Sequence, residues 1–290
     1  MLRRVWLPLA LLAAVGTAAR EVLIKRARRS VDEFAVVFFV ACGAGALLLP
    51  PALASGAAPR EGFWLALVAS GTINAVAALL IARAVHRSDL SLVAPLKSLT
   101  PLFMLGTAPL LIGEYATPAG IAGVVVIVAG AYLLSEPEGS GILAPYRALF
   151  QDAGAREMLV VAVIFSISAV VDKVGVQASG AFTWAAALNL FVAAAVGPVV
   201  LIRRATRGVP LLAGAGRDVA GAAAVTAVAL AAQMAAITMT AAAYVIAVKR
   251  TSVLFAVLAG GVFFEERATR RRAVAAIIMI AGFALVTVAA

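Results

Sequence analysis

Two lysines lie deep within apolar stretches of this 290-residue chain, and a lysine amine offers a compact positive charge suited to an anionic ligand. Lys97 and Lys249 are 152 residues apart, and each is expected about eight or nine residues into a long apolar segment. A charge at the centre of a membrane helix costs about 2.5–3.5 kcal/mol on insertion scales, so this symmetric placement favours a functional role. The alternative is that the aliphatic part of each lysine side chain only extends the amine to the membrane surface.

Four further residues complete the candidate site. Arg250 follows the second lysine, and its guanidinium adds a planar fork that matches phosphate or carboxylate. Tyr244 is the preferred uncharged candidate for substrate contact. Glu21 and Asp172 are the acids that could reach these cations, either as counter-charges or as proton-coupling groups. The other interpretation of both acids is a pair with a neighbouring lysine at the level of the lipid headgroups.

The composition is that of a polytopic membrane protein. The chain is 64% hydrophobic and 13% charged, with a mean hydropathy of +1.06. Its apolar runs are long enough to cross a bilayer core of about 30 Å as helices, and they lack the alternation of a membrane β-barrel. The expected fold class is therefore an all-α integral membrane protein.

Several functional classes lack support in the sequence. The net charge of +10 comes from short basic clusters between apolar runs, where they face lipid headgroups, so no nucleic-acid partner is expected. Cys42 is the single cysteine, and no metal-ligand spacing accompanies it, so no metal or other cofactor is expected. The apolar segments carry no catalytic constellation and no phosphate-binding loop, so the chain is not expected to be an enzyme.

Apolar runs between charged or proline-rich breaks predict ten membrane spans. The connection 136–156 is linker-like and divides the chain into a first repeat, 1–135, and a second repeat, 157–290. The spans are expected at 5–24, 34–54, 62–82, 90–112, 117–135, 157–176, 182–202, 217–238, 241–264 and 272–290.

The two halves are copies of one pattern. With an offset of 152, lysine aligns with lysine, Glu114 with Glu266, and the Leu-Phe pair after Lys97 with the pair after Lys249. With an offset of 151, Glu21 aligns with Asp172. The first span thus belongs to the repeat, which argues that it is retained although its start imitates a cleavable signal peptide.

Because each repeat has five spans, the second copy enters the membrane in the opposite orientation. Inverted repeats are typical of secondary transporters, which bind substrate near the midplane between the repeats. A pseudo-two-fold axis in the membrane plane would bring both lysines towards one central cavity.

The chain resembles the drug/metabolite transporter superfamily, and within it the EamA-type ten-helix transporters, over essentially its whole length. The resemblance implies a membrane transporter of small solutes built from two EamA-type repeats. Small four-helix relatives dimerise through their last helix, but a fused repeat supplies both halves, so a monomer or weak homodimer is expected. The resemblance is carried by the segments Val93–Leu96, Thr100–Phe103, Gly113–Pro118 and Gly123–Leu134.

A shorter motif resembles the sugar-phosphate and phosphate translocators of the same superfamily. There, a lysine of the fourth helix and a Lys-Arg pair of the ninth helix hold the substrate phosphate. Lys97, Lys249 and Arg250 occupy those positions here, which implies that an anionic metabolite, such as a phosphorylated one, binds between the repeats by alternating access.

Two other functions remain open on the sequence. One is an exporter of neutral or zwitterionic amino acids or drugs, in which the lysines only balance Glu21 or Asp172. The other is a lipid-handling or membrane assembly protein that does not transport.

The distribution of basic residues predicts the orientation. The odd-numbered connections carry 17 Lys and Arg residues, whereas the termini and even-numbered connections carry 4. The positive-inside rule then places the odd connections in the cytoplasm and both termini outside, in a plasma membrane that we take to be the bacterial inner membrane.

Overall fold

The computed structural model describes residues 5–88, 95–135, 144–208, 211–212, 214–255 and 270–290. These residues form helices and connecting turns. The helices are α1 Trp6–Ala27, α2 Glu33–Ala54, α3 Phe63–Arg87, α4 Thr100–Ile112, α5 Pro118–Ser135, α6 Ala144–Gln151, α7 Ala153–Ser179, α8 Ala181–Arg207, α9 Gly216–Ile237, α10 Ala242–Lys249 and α11 Arg270–Ala289.

The expected all-α membrane fold is confirmed. Nine helical segments of the described ranges are long and apolar enough to cross a bilayer. The ninth expected span, 241–264, begins with α10, and its residues 256–264 lie outside the described residues, as do 90–94 of the fourth span. The connection between the halves contains a short helix, α6, and its residues 136–143 also lie outside the described residues.

The helices pair across the two halves in a two-fold pattern. α1 packs on α9 and α3 packs on α7, so the first helix of each half contacts the third helix of the other. α2 packs on α8, and α5 on α11, which joins second helix to second and last helix to last. The fold is therefore two five-helix repeats of inverted topology.

The contact between α5 and α11 depends on glycine. A Cβ atom at Gly123 would lie 2.9 Å from the carbonyl oxygen of Gly282, and one at Gly282 would lie 2.6 Å from the backbone nitrogen of Ile127. No side chain fits there, so the two backbones are in direct contact. In lipid, where burial of apolar surface does not drive helix association, such close backbone packing is a main source of attraction.

Candidate functional site

Both lysines lie at the same kind of break in a helix. Residues 95–97 are helical, 98–99 form a turn, and the helix resumes as α4; α10 ends at Lys249, 250–251 form a turn, and residues 252–255 are helical. The two turns are 152 residues apart, the offset that aligns the lysines. At both turns the backbone N–H groups donate to the carbonyl three residues earlier, instead of four as in an α-helix. These bonds run from Ser98 N to Pro95 O (3.1 Å), Leu99 N to Leu96 O (3.1 Å), Arg250 N to Ala247 O (3.0 Å) and Thr251 N to Val248 O (2.9 Å).

Hydroxyl side chains stabilise these turns. Ser98 Oγ donates to the carbonyl of Pro95 over 2.6 Å, and Thr251 Oγ1 donates to the carbonyl of Val248 over 2.7 Å. Side-chain donors of this kind compete with regular helical bonding and bend helices. A short 3₁₀-type stretch within a helix often marks a hinge. Each lysine therefore stands immediately before a local change of helix geometry.

The predicted cations come together, and a fourth joins them. Lys97, Lys249 and Arg250 are half-buried, and all three interact electrostatically with Glu21. Arg20 interacts with both lysines. We call Arg20, Lys97, Lys249 and Arg250 the basic cluster. Two carboxylates interact with its members, the exposed Glu21 and Asp172, which interacts with Lys249, so the four cations still outnumber the nearby acids.

Two of these cations have polar atoms without partners. The Nε atoms of Arg20 and Arg250 are buried, and neither donates a hydrogen bond to an oxygen of the described residues. Leaving a buried donor unpaired costs about 1–3 kcal/mol, and more when the group is charged. Oxygen atoms of a bound anion would supply the missing acceptors.

The two lysines are held by different partners. Lys249 Nζ donates to Oε1 of Gln233, a buried residue of α9, over 2.5 Å. Lys97 Nζ lies 5.9 Å from the ring centroid of Phe165 in α7, at the outer limit for a cation–π contact. Each lysine thus contacts a helix of the second repeat, although only Lys249 belongs to it.

Asp172 lies in a buried polar network between α3, α7 and α8. Its Oδ1 accepts from the Ser70 hydroxyl over 2.5 Å and from Trp184 Nε1 over 3.2 Å. The oxygens of Ser70 and Ser168 are 3.0 Å apart, and Asn74 Nδ2 donates to Ser168 Oγ over 2.8 Å. Asp172 also interacts electrostatically with Lys249. The carboxylate is therefore linked to the basic cluster by charge and to the first repeat by hydrogen bonds.

A further set of contacts ties the repeats together at the end of the molecule where α7 finishes. Lys173 forms an ion pair with Glu114 and donates to the Thr240 carbonyl over 2.8 Å, while Glu114 Oε1 accepts from Ala242 N over 2.8 Å. Lys173 therefore pairs with Glu114, and not with Asp172 as the alternative interpretation of the acids expected. We call these contacts the ionic closure.

Tyr244 belongs to the same end and not to the basic cluster. Its hydroxyl accepts from Thr117 N over 2.9 Å and lies 3.2 Å from Thr117 Oγ1. The residue is buried, and its ring lies against Gly120, where an added Cβ would come within 1.9 Å of the hydroxyl oxygen. The structure thus brings Lys97, Lys249, Arg250 and Glu21 together and places Tyr244 in a contact between the repeats.

Sequence reasoning missed Arg20 because it assigned this residue to the first connection. The expected span 5–24 nevertheless contains Arg20 and Glu21, and both lie on α1, which extends to Ala27. The signal was available in the repeat, which already aligned Glu21 with an intramembrane position.

Paired inverted repeats, discontinuous helices and a cationic region where they meet define a multi-pass membrane transporter of small solutes. The EamA-like transporter family matches residues 4–136 and again residues 154–288, so the chain belongs to this family of the drug/metabolite transporter superfamily. No curated protein matches the chain. A solved structure described only as the crystal structure of a protein is similar over 98% of this chain and 96% of its own, with a TM-score of 0.80 at 16% identity, which is a likeness of fold.

Proposed function

We propose that this transporter carries a small organic anion, of the phosphorylated class, and binds it between the repeats with the basic cluster. The observation that carries the proposal is the charge balance within the described residues: four cations, Arg20, Lys97, Lys249 and Arg250, interact with only two carboxylates, the exposed Glu21 and the buried Asp172. Uncompensated buried charge is unfavourable, so a multiply charged anion would relieve the repulsion among the four cations.

The geometry of the side chains favours phosphate over a single carboxylate. Arg20 and Arg250 each present a buried Nε without a partner, and guanidinium forks bind oxygens in pairs. The lysines add point charges from helix breaks on opposite repeats. A tetrahedral dianion offers enough oxygens for both types of donor.

The proposed mechanism is alternating access around this site. The ionic closure and the contact between Tyr244 and Thr117 would seal one end, and the turns after Lys97 and Lys249 would act as hinges. The sealed end lies at the even-numbered connections, so the charge distribution would place it outside the cell, with the basic connections in the cytoplasm. A reporter that works only in the cytoplasm, fused to either terminus, tests this orientation. An active fusion would overturn it.

The test is ligand-dependent thermal stabilisation of purified protein across phosphorylated metabolites, carboxylates and amino acids. Lys249→Gln should abolish stabilisation by the anion that the wild type binds, because it removes a charge from the site. Lys25→Gln is the matched control, since Lys25 is an exposed lysine of α1. Equal stabilisation of the wild type and Lys249→Gln by the same anion would refute the assignment.

A second candidate is transport of a neutral or zwitterionic solute. It is favoured by the charge pairing within each repeat, because Lys97 interacts with Glu21 and Lys249 with Asp172. In that case the lysines would only neutralise these two acids. Amino acids would then stabilise the wild type and Lys249→Gln equally, while phosphorylated compounds would have no effect on either.

A further inference from the structure

Asp172 is the one buried carboxylate among the described residues, with 6% of its surface exposed. It lies seven residues before the end of α7 at Ser179, which places it about 10 Å along the axis from that end. An ionisable group at such depth in a membrane protein is costly, and it usually marks an ion or proton pathway. The polar network around it therefore needs a functional account.

The hydrogen bonds around Asp172 suit both of its protonation states. Ser70 and Trp184 donate to Oδ1, and no described residue donates to Oδ2. A protonated carboxyl keeps acceptor capacity on one oxygen and carries its hydrogen on the other. Oδ2 can thus take a proton from hydronium, forming an O–H bond, releasing water and removing the negative charge, without loss of either bond to Oδ1.

Lys249 is the charged residue that interacts electrostatically with Asp172. The residues that α3 and α8 present to the carboxylate are Ser70 and Trp184, both neutral, and Gln233 of α9 bonds Lys249 itself. Lys173 follows Asp172 in the sequence, but its amine is engaged by Glu114 and the Thr240 carbonyl. The carboxylate therefore depends on Lys249 for compensating charge.

The same lysine belongs to the basic cluster, so an anion bound there competes with Asp172 for one positive charge. We propose that Asp172 takes up a proton when the anion binds, which makes this protein a proton-coupled anion transporter. The inference rests on the proposed function. By linkage, a proton on Asp172 strengthens anion binding by the factor by which the anion strengthens proton binding. The two would cross the membrane together.

Sulfate is a suitable probe, because it stays a dianion at neutral pH and any proton taken up must go to the protein. Calorimetric titration in two buffers of different ionisation enthalpy gives the protons bound per sulfate. We expect about one proton per sulfate in the wild type, as for a single strongly linked site. Asp172→Asn, which keeps an acceptor for Ser70 and Trp184, should bind sulfate with no proton uptake.

Two further variants locate the proton. Glu61→Gln removes an exposed acid that belongs neither to the polar network of Asp172 nor to the basic cluster, and should leave the uptake unchanged. Proton uptake that persists in Asp172→Asn, or that disappears in Glu21→Gln instead, would overturn the inference while leaving the anion site intact.

Infrared difference spectra recorded on addition of sulfate follow the carboxyl directly. A protonated carboxyl band that appears with sulfate in the wild type and is missing in Asp172→Asn supports the inference. A spectrum in which no carboxyl becomes protonated while sulfate binds overturns it. Failure of both sulfate and inorganic phosphate to bind the wild type would instead refute the proposed anion site, and with it the inference that rests on it.

Discussion

The first helix of each repeat occupies the same place in the fold, yet α1 and α7 differ in what they do with their charges. α1 has 22 residues and presents Glu21 to solvent, whereas α7 has 27 residues and buries the aligned Asp172. The residue after the acid differs as well, because Val22 stands where α7 has Lys173. The ion pair with Glu114 therefore exists at one end of the molecule only, because Val22 has no charge with which to form an equivalent pair at the other end.

The comparison separates what the repeat conserves from what it varies. Both halves keep a lysine followed by a tight turn, which sets the shape of the site. The neighbouring positions have diverged, so that one end is held by a buried ion pair while α1 adds Arg20 to the basic cluster. The duplicated halves thus share the lysine and the turn that follows it, whereas single substitutions give the two ends different contacts.

The largest effect is expected for Lys173→Met. It leaves the Glu114 carboxylate without its ion-pair partner in a largely buried position, which should lower the free energy of unfolding by about 3 kcal/mol. Denaturant unfolding in detergent, followed by tryptophan fluorescence, measures the loss. Adding Glu114→Gln should recover more than half of it, and Lys25→Met, at an exposed lysine of α1, should change stability by less than about 0.5 kcal/mol. Equal losses in the two single lysine variants would remove the distinction between α1 and α7.

Asp172→Ala should cost about 2 kcal/mol of unfolding free energy, because the buried donors of Ser70 and Trp184 lose their shared acceptor. Glu21→Ala should change stability by less than about 0.5 kcal/mol, since Glu21 is exposed. The same unfolding measurement compares them. If the two aligned acids cost the same, their environments do not differ in the way described.

Gly120→Ala tests the other contact at the closed end. The added Cβ would displace the Tyr244 ring and break its bond to Thr117, with an expected cost of about 1.5 kcal/mol. Gly106→Ala in α4 is the matched control, because nothing lies within 4 Å of the new Cβ. In a helix interior that change should stabilise by about 0.5–1 kcal/mol. Unfolding free energies that shift in the same direction for both variants would contradict the close packing of Tyr244.

The smallest effect concerns the starts of the two helices. Asp152 caps α7 by accepting from Ala155 N over 2.8 Å, whereas Val5, the N-cap residue of α1, provides no side-chain cap. The hydrogen bond from Ser88, followed by that from Ala155, holds the pKa of Asp152 below its usual range. Asp152→Ala should therefore cost about 1 kcal/mol at neutral pH.

The pH dependence of that loss has a defined sign. Because the folded-state pKa of Asp152 is lowered, its stabilising contribution is present above the unfolded carboxyl pKa and disappears as the pH falls through the folded value. The difference in unfolding free energy between the wild type and Asp152→Ala should thus shrink in acid. A difference that stays constant with pH would assign the effect to packing alone.

Much of the fold could be predicted from the sequence, because apolar run length dictates the spans and the repeat dictates their pairing. Most of the expected spans end within a few residues of the helices, and the matched lysines led to the region where the repeats meet. The place of Arg20 in the basic cluster was missed, because a charge near the end of an apolar run was counted with the basic residues of the connection. Long side chains can keep such charges on a helix when they point towards a polar cavity.

The turns after the lysines and the ionic closure were also beyond the sequence analysis. The turns had a readable signal in Ser98-Leu99-Thr100-Pro101 and in Thr251-Ser252, where hydroxyl side chains and proline interrupt an apolar helix. The pairing of Glu114 with Lys173 had none, because it depends on a tertiary approach between a connection of one repeat and a helix of the other. Contacts of that kind follow from the assembled fold only.

The glycine contact between α5 and α11 has a consequence for how the molecule is assembled. Gly123 and Gly282 come from different halves, so the surface through which two separate five-helix proteins would recognise each other is present within one polypeptide. Two fragments, ending and beginning on either side of 136–143, should therefore find each other in the bilayer when produced together and restore the whole transporter. Substituting leucine for either glycine should leave both fragments inserted but unable to associate.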